Sequence, residues 1–189
     1  MTSNIPNILT SLRIALIPVF VVVFYLPWSM APLATTIIFC LAAITDWLDG
    51  YLARKLEQTS EFGAFLDPVA DKLMVVIALI MLVDKNPTSF PDVLMALAAG
   101  IIIGREIVIS ALREWMAEIG ERAQVAVSVI GKMKTMAQML AIPFLLYQKP
   151  IGDIPTAEVG FILLYIAAGL TIWSMLIYLK AAWPILSKN

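Results

Sequence analysis

The run APLATTIIFCLAAITDWLDGYLARK, residues 31–55, decides how this chain reads. It starts as an apolar stretch long enough for a bilayer span, which needs about 20 residues. It ends in Asp46 and Asp49, acids that a plain membrane anchor has no reason to carry. One segment therefore predicts both a membrane helix and a chemical site at one end of it.

Working outward, the rest of the chain has the same character. Of its 189 residues 61% are hydrophobic and 14% charged, whereas a soluble domain is about half apolar and a quarter charged. A soluble helical protein with a greasy core fails on run length, because several apolar stretches approach the span requirement. Six spans are expected at Asn7–Tyr25, Ala31–Lys55, Gly63–Val83, Asp92–Trp115, Gly131–Tyr147 and Ala157–Ala181. The expected fold is an all-α integral membrane protein forming one domain over residues 1–189. Met1 to Pro6 is expected as a short interfacial arm. Pro27, Pro32, Pro87, Pro91, Gly120, Pro150 and Pro155 punctuate the connections. Pro18 and Pro143 fall inside spans, where they should kink rather than end the helix.

Several functions are excluded early. With no histidine, imidazole cannot serve as base or ligand. Cys40 is the single cysteine and reads as a small buried hydrophobe. A net charge of −1 predicts no nucleic-acid partner. Residues 1–7 contain no basic stretch, and no small-residue cleavage site follows the first apolar run, so that run is expected to persist in the mature protein.

Basic residues orient the bundle. An even number of spans puts both termini on one side. The loops Leu26–Met30, Asp84–Phe90 and Gln148–Thr156 then share the other, and of 13 Lys and Arg they hold only Lys85 and Lys149. The positive-inside rule predicts cytoplasmic termini.

The acids recur at helical spacing. Asp46, Asp49, Gly50 and Ala53 stand at i, i+3, i+4 and i+7, and Gly63, Asp67 and Asp71 at i, i+4 and i+8. Each set occupies one helical face. The short linker between them makes the two helices antiparallel neighbours whose acidic faces can meet near their cytoplasmic ends. An Asp at the centre of a membrane helix costs about 2.5–3.5 kcal/mol, less off-centre, and four converging carboxylates repel one another. Hard divalent cations such as Mg²⁺ or Mn²⁺ compensate best, and two ions bridged by shared carboxylates would engage all four acids. The plainer reading pairs the acids with Arg54, Lys55 and Lys72. The small residues Gly50, Ala53 and Gly63 either leave room for a ligand or let the helices pack closely, and spacing alone does not choose.

These residues resemble the signature of the CDP-alcohol phosphatidyltransferases, D-x2-D-G-x2-A-R-x8-G-x3-D-x3-D. Asp46, Asp49, Gly50, Ala53, Arg54, Gly63, Asp67 and Asp71 match every fixed position. The resemblance implies six spans with cytoplasmic termini and a homodimer. It implies Asp46, Asp49, Asp67 and Asp71 as ligands of two divalent ions, with Asp71 also the general base. It implies Gly50, Ala53, Arg54 and Gly63 at the nucleotide-lipid donor, CDP-diacylglycerol.

Other polar groups toward the same side should complete the donor site and define the acceptor. Asn7, Thr10 and Arg13 share one face of the first span, with Asn7 and Thr10 candidates for the donor and Arg13 for the acceptor phosphate. Capping and interfacial anchoring would also account for them. Arg105, Lys132 and Lys134 could clamp a phosphate through charge-assisted hydrogen bonds, and Glu106 could pair with an arginine or bind acceptor hydroxyls. A phosphorylated alcohol is thus favoured over free serine or choline. The phrases IPNILT (5–10), GREI (104–107) and ALREWMA (111–117) resemble the bacterial branch of the family that forms phosphatidylglycerophosphate. That implies sn-glycerol 3-phosphate as acceptor, CMP as leaving group, and a bacterial inner-membrane enzyme with its site facing the cytoplasm. An inositol phosphate acceptor is the nearest alternative. A cation-coupled transporter is the alternative from another class, although transporters favour midplane sites on broken, repeated helices. No Walker loop occurs, and ATP is not expected.

Overall fold

A computed structural model describes the backbone of residues 5–56, 61–120 and 129–186, and the side chains of residues 11–46, 69, 70, 72–120, 131 and 133–183. Its secondary structure is helical: α1 (Ile5–Tyr25), α2 (Ala31–Leu56), α3 (Glu61–Asp84), α4 (Asp92–Glu118), α5 (Val129–Tyr147) and α6 (Thr156–Leu186). Each grows from one of the six apolar runs. α4 continues past its apolar run as far as Glu118, because helical hydrogen bonding does not stop where hydropathy falls. α1 runs through Pro18 and α5 through Pro143.

Among the described residues, two helices, Asp92–Glu118 and Thr156–Trp183, are long and apolar enough by themselves to cross a membrane, and shorter apolar segments occupy Ser11–Tyr25 and Ala31–Asp46.

The connections at one end are bound to one another. Lys149 Nζ donates to the Ser29 carbonyl at 2.9 Å, and Tyr25 OH donates to Asp84 Oδ2 at 2.8 Å. Asn86 ties its own turn together, with Nδ2 donating to Phe90 O at 2.8 Å and to Asp92 Oδ1 at 3.0 Å. The connections 26–30, 85–91 and 148–155 therefore meet at one end, and successive helices alternate in direction.

α5 packs on α6, α1 on both α2 and α3, α4 on α6, and α2 on α5. Phe20, Phe39, Leu79, Leu82, Met95, Ile102, Ile142, Leu145 and Leu164 fill the interior. The α5–α6 contact is backbone-close. A Cβ on Gly160 would lie 2.9 Å from both Cγ and N of Leu145 and 3.0 Å from Ala141 O. Many large apolar side chains face outward, among them Val22, Ile44, Val93, Ile107, Met136, Ile162 and Leu176. A soluble protein avoids so extensive an apolar exterior. The hydroxyls of Thr35, Thr36, Thr135 and Thr171 bond the carbonyl four residues back in their own helices, as the absence of solvating water demands.

Candidate functional site

Charged side chains collect at one level of this bundle. Arg13, Asp46, Lys72, Glu106 and Lys134 lie 12 to 15 residues along their own helices from the knotted end, about 18–22 Å at helical rise. Five helices thus bring three bases and two acids together. Between them opens a cleft lined by Asp46, Lys72, Val75, Glu106, Lys134, Thr135, Gln138 and Met139. Val75 and Met139 are its apolar members. A neighbouring narrow crevice shares Asp46, Val75 and Met139 and is otherwise lined by Arg13, Phe39, Ala42, Ala43 and Met74.

Charges this deep must be paired, and two ion-pair groups do so. Arg13, 2% exposed, donates from Nη1 to Asp46 Oδ1 at 2.9 Å. Asp46 keeps a partly exposed carboxylate toward the cleft. Glu106 Oε1 accepts from Arg105 Nη1 at 3.0 Å and also from Lys134 Nζ. Lys72 donates to Ser110 Oγ. On the α6 side, Tyr178 lies between two arginines: the Arg105 guanidinium is 5.7 Å from its ring centre, that of Arg113 is 5.6 Å, and Arg113 Nη2 reaches the Tyr178 oxygen at 3.3 Å.

Of the residues expected at the site, the structure brings Arg13, Asp46, Arg105 and Lys134 to this level. Arg105 and Lys134 do sit together, but they converge on Glu106, so the phosphate clamp is closed on a carboxylate. Arg13 is neither a cap nor an interfacial anchor; it holds Asp46. The side chains of Asn7, Thr10, Asp49, Gly50, Ala53, Arg54, Gly63, Asp67, Asp71 and Lys132 lie outside the described residues. The helical backbone there still sets register: Asp46 and Asp49 share a face of α2, and Asp67 and Asp71 share a face of α3. Among the described residues no three metal-ligating side chains cluster, since three of the four acids fall outside them. The carboxylates that the cleft does present among the described residues, those of Asp46 and Glu106, are hard oxygen donors of the kind Mg²⁺ and Mn²⁺ take.

Two participants had no clear sequence signal. Lys72 reads from sequence only as a partner for the acids. Tyr178 looks like one more aromatic of an apolar span. Gln138, one turn after Lys134, is buried beside the cleft.

Comparison with known proteins agrees with this arrangement. The family model described as CDP-alcohol phosphatidyltransferase matches residues 3–173. Proteins named CDP-diacylglycerol–glycerol-3-phosphate 3-phosphatidyltransferase are similar over almost the full chain. Those of Salmonella typhimurium and Shigella flexneri are 53% identical over 182 residues, 96% of both chains. That of Pseudomonas fluorescens is 53% identical over 187 residues, 98% of this chain and 93% of its own. With an unbroken signature on α2 and α3, a charged cleft between α2 and α5, and a match spanning nearly all of the sequence, the chain belongs to the CDP-alcohol phosphatidyltransferase family.

Proposed function

We propose that the protein transfers the phosphatidyl group of CDP-diacylglycerol to sn-glycerol 3-phosphate, releasing CMP and forming phosphatidylglycerophosphate. The observation that carries this reading is the cleft in which Asp46, Lys72, Glu106 and Lys134 converge from four helices at one depth. It offers acids for a metal-bound diphosphate on one side and bases for a second phosphate on the other. The names of the relatives supply the donor and acceptor.

In this reading the donor's acyl chains stay in the bilayer while its diphosphate enters beside α2 and α3. Gly50, Ala53, Arg54, Gly63, Asn7 and Thr10 receive the nucleotide-lipid. Asp46, Asp49, Asp67 and Asp71 would hold two Mg²⁺ or Mn²⁺ ions, which supply charge neutralisation for the phosphates. Arg13 fixes the rotamer of Asp46. Arg105, Lys132 and Lys134 orient the acceptor phosphate, with Arg13 beside them. Asp71 takes the proton from the acceptor's terminal hydroxyl. The freed oxygen attacks the phosphorus that carries diacylglycerol, a new P–O bond forms, and the bond to CMP breaks with its electrons leaving on CMP. Such chemistry rests on positioning and charge stabilisation, which this side-chain set can provide.

The same reading makes the protein a six-span inner-membrane homodimer with cytoplasmic termini and a cytoplasm-facing cleft. It is supported by the alternating helices, the apolar exterior and the near absence of basic residues from the three knotted loops. The test is CMP release from CDP-diacylglycerol by detergent-purified protein with Mg²⁺ and a panel of alcohols. Release that depends on glycerol 3-phosphate is expected. Release that depends on an inositol phosphate instead would move the acceptor assignment. No release with any alcohol would overturn the transferase reading.

A further inference from the structure

Gln138 is the one cleft residue whose chemistry the ion pairs leave unexplained. It is 7% exposed, and its Oε1 is buried with no hydrogen-bond partner among the described residues. A buried amide oxygen left without a donor costs about 1–3 kcal/mol, so an orphan of this kind at the edge of a cleft calls for a ligand that completes it. The missing partner is a donor, and Lys134, the cation one turn earlier on the same face of α5, is already held by Glu106.

We infer that Gln138 determines acceptor specificity by hydrogen bonding the acceptor's non-reacting hydroxyl. Given the acceptor reading above, helical register places Gln138 for this role. Lys134 and Gln138 are i and i+4 on α5 and both line the cleft, with Cα atoms about one helical turn, or 5–6 Å, apart along it. In sn-glycerol 3-phosphate the secondary hydroxyl is two carbons from the ester oxygen of the phosphate. An acceptor with its phosphate toward Lys134 and its chain along α5 brings that hydroxyl level with Gln138. The terminal hydroxyl then turns back toward Asp46, which lines the same cleft. A hydroxyl both donates and accepts, so it satisfies the amide in either orientation of its O and N atoms. Val75 and Met139, which also line the cleft, offer nothing that could replace this bond.

A site that hydrogen-bonds a substrate hydroxyl rejects an analogue lacking it far more strongly than an apolar pocket rejects a missing methylene. The decisive analogue is 3-hydroxypropyl phosphate, which keeps the phosphate and the terminal hydroxyl and lacks only the secondary one. The experiment measures kcat and KM for both acceptors at saturating CDP-diacylglycerol, with full-length wild type, Gln138→Leu, Gln138→Met and Gln138→Glu. Wild type is expected to favour glycerol 3-phosphate by roughly tenfold or more in kcat/KM. In Gln138→Leu the preference collapses to within about threefold, through a raised KM for glycerol 3-phosphate and an almost unchanged KM for the analogue. Gln138→Glu, which still accepts a hydrogen bond, retains most of the preference. If Gln138→Leu does not fold, the slimmer Gln138→Met gives the same reading. An equal loss toward both acceptors, or an unchanged preference, makes Gln138 structural and overturns the inference. A wild type silent with both acceptors overturns the transferase reading, and this assignment with it.

Discussion

At the scale of single residues, the account turns on how few charges the interior tolerates and how each is matched. Glu106, Arg105 and Lys134 form a triad of one acid and two bases, with side chains 19%, 10% and 6% exposed. The two ways of breaking it differ. Lys134→Met leaves a matched Glu106–Arg105 pair and should cost about 1 kcal/mol. Glu106→Gln leaves two buried cations facing each other and should cost about 3 kcal/mol. Thermal unfolding in detergent checks the order, and equal losses would mean that the triad is not charge-coupled. A bound anion can replace the missing carboxylate, so millimolar inorganic phosphate should restore more thermal stability to Glu106→Gln than to wild type.

Asp71 and Asp67 are also separable at this scale. They stand one turn apart on α3, so the proposed ions would be within reach of the same helical face. Asp71→Asn keeps the shape but removes the proton acceptor, so a kcat loss of about 10²–10⁴ is expected with donor binding largely kept. Asp67→Asn should weaken metal and donor binding together, because a neutral amide is a poorer ligand for a hard cation. Metal titration with steady-state kinetics separates the two. Identical behaviour would make the acids one coupled unit with no single base.

At the scale of elements, the closest helix contact gives a sharp test. Gly160 has no room for a Cβ against Leu145 and Ala141, whereas Gly169, on the same helix, has nothing within 4 Å. Gly160→Ala should force α5 and α6 apart and cost about 1–3 kcal/mol, while Gly169→Ala should be neutral or stabilise by up to about 1 kcal/mol. Because α5 carries Lys134 and Gln138, Gly160→Ala should also raise the acceptor KM. A comparable melting temperature for the two variants would contradict the close packing.

The elements were the most legible part of the sequence. Apolar runs between Pro and Gly breakers yield six helices within a few residues of their expected limits, because a run that must satisfy its own backbone in an apolar medium has little choice but helix. The register of the acidic motif was legible for the same reason: its i, i+3 and i+4 spacing falls on helical backbone in α2 and α3. Partner choice was not legible. Arg13 meets Asp46 across 33 residues of sequence, and nothing local to α1 says which of its faces will meet α2. That Glu106 could pair with an arginine was legible from its place beside Arg105, but not that Lys134, far along the chain, meets the same carboxylate. Tyr178 carried no polar pattern, since its contacts with Arg105 and Arg113 depend on how α6 crosses α4.

At the scale of the whole molecule, the charged level divides the bundle into a knotted loop end and a reactive end, about two-thirds of a hydrocarbon thickness apart. In the proposed reaction the donor's lipid tails and the water-soluble acceptor would meet at that level, approached from membrane and cytoplasm respectively. If the four acids hold ions there, exhaustive EDTA treatment should abolish transfer, and Mg²⁺ or Mn²⁺ should restore it. Full activity in metal-free protein would remove the two-ion reading.

The most direct measurement follows the acceptor itself. Purified protein is given CDP-diacylglycerol, Mg²⁺ and radiolabelled sn-glycerol 3-phosphate, and label entering the organic phase is counted against CMP released. One labelled glycerol phosphate per CMP, in a lipid bearing a free phosphate monoester, is the predicted result. CMP release without label in the lipid would mean that water or another alcohol takes the phosphatidyl group, and would contradict the account.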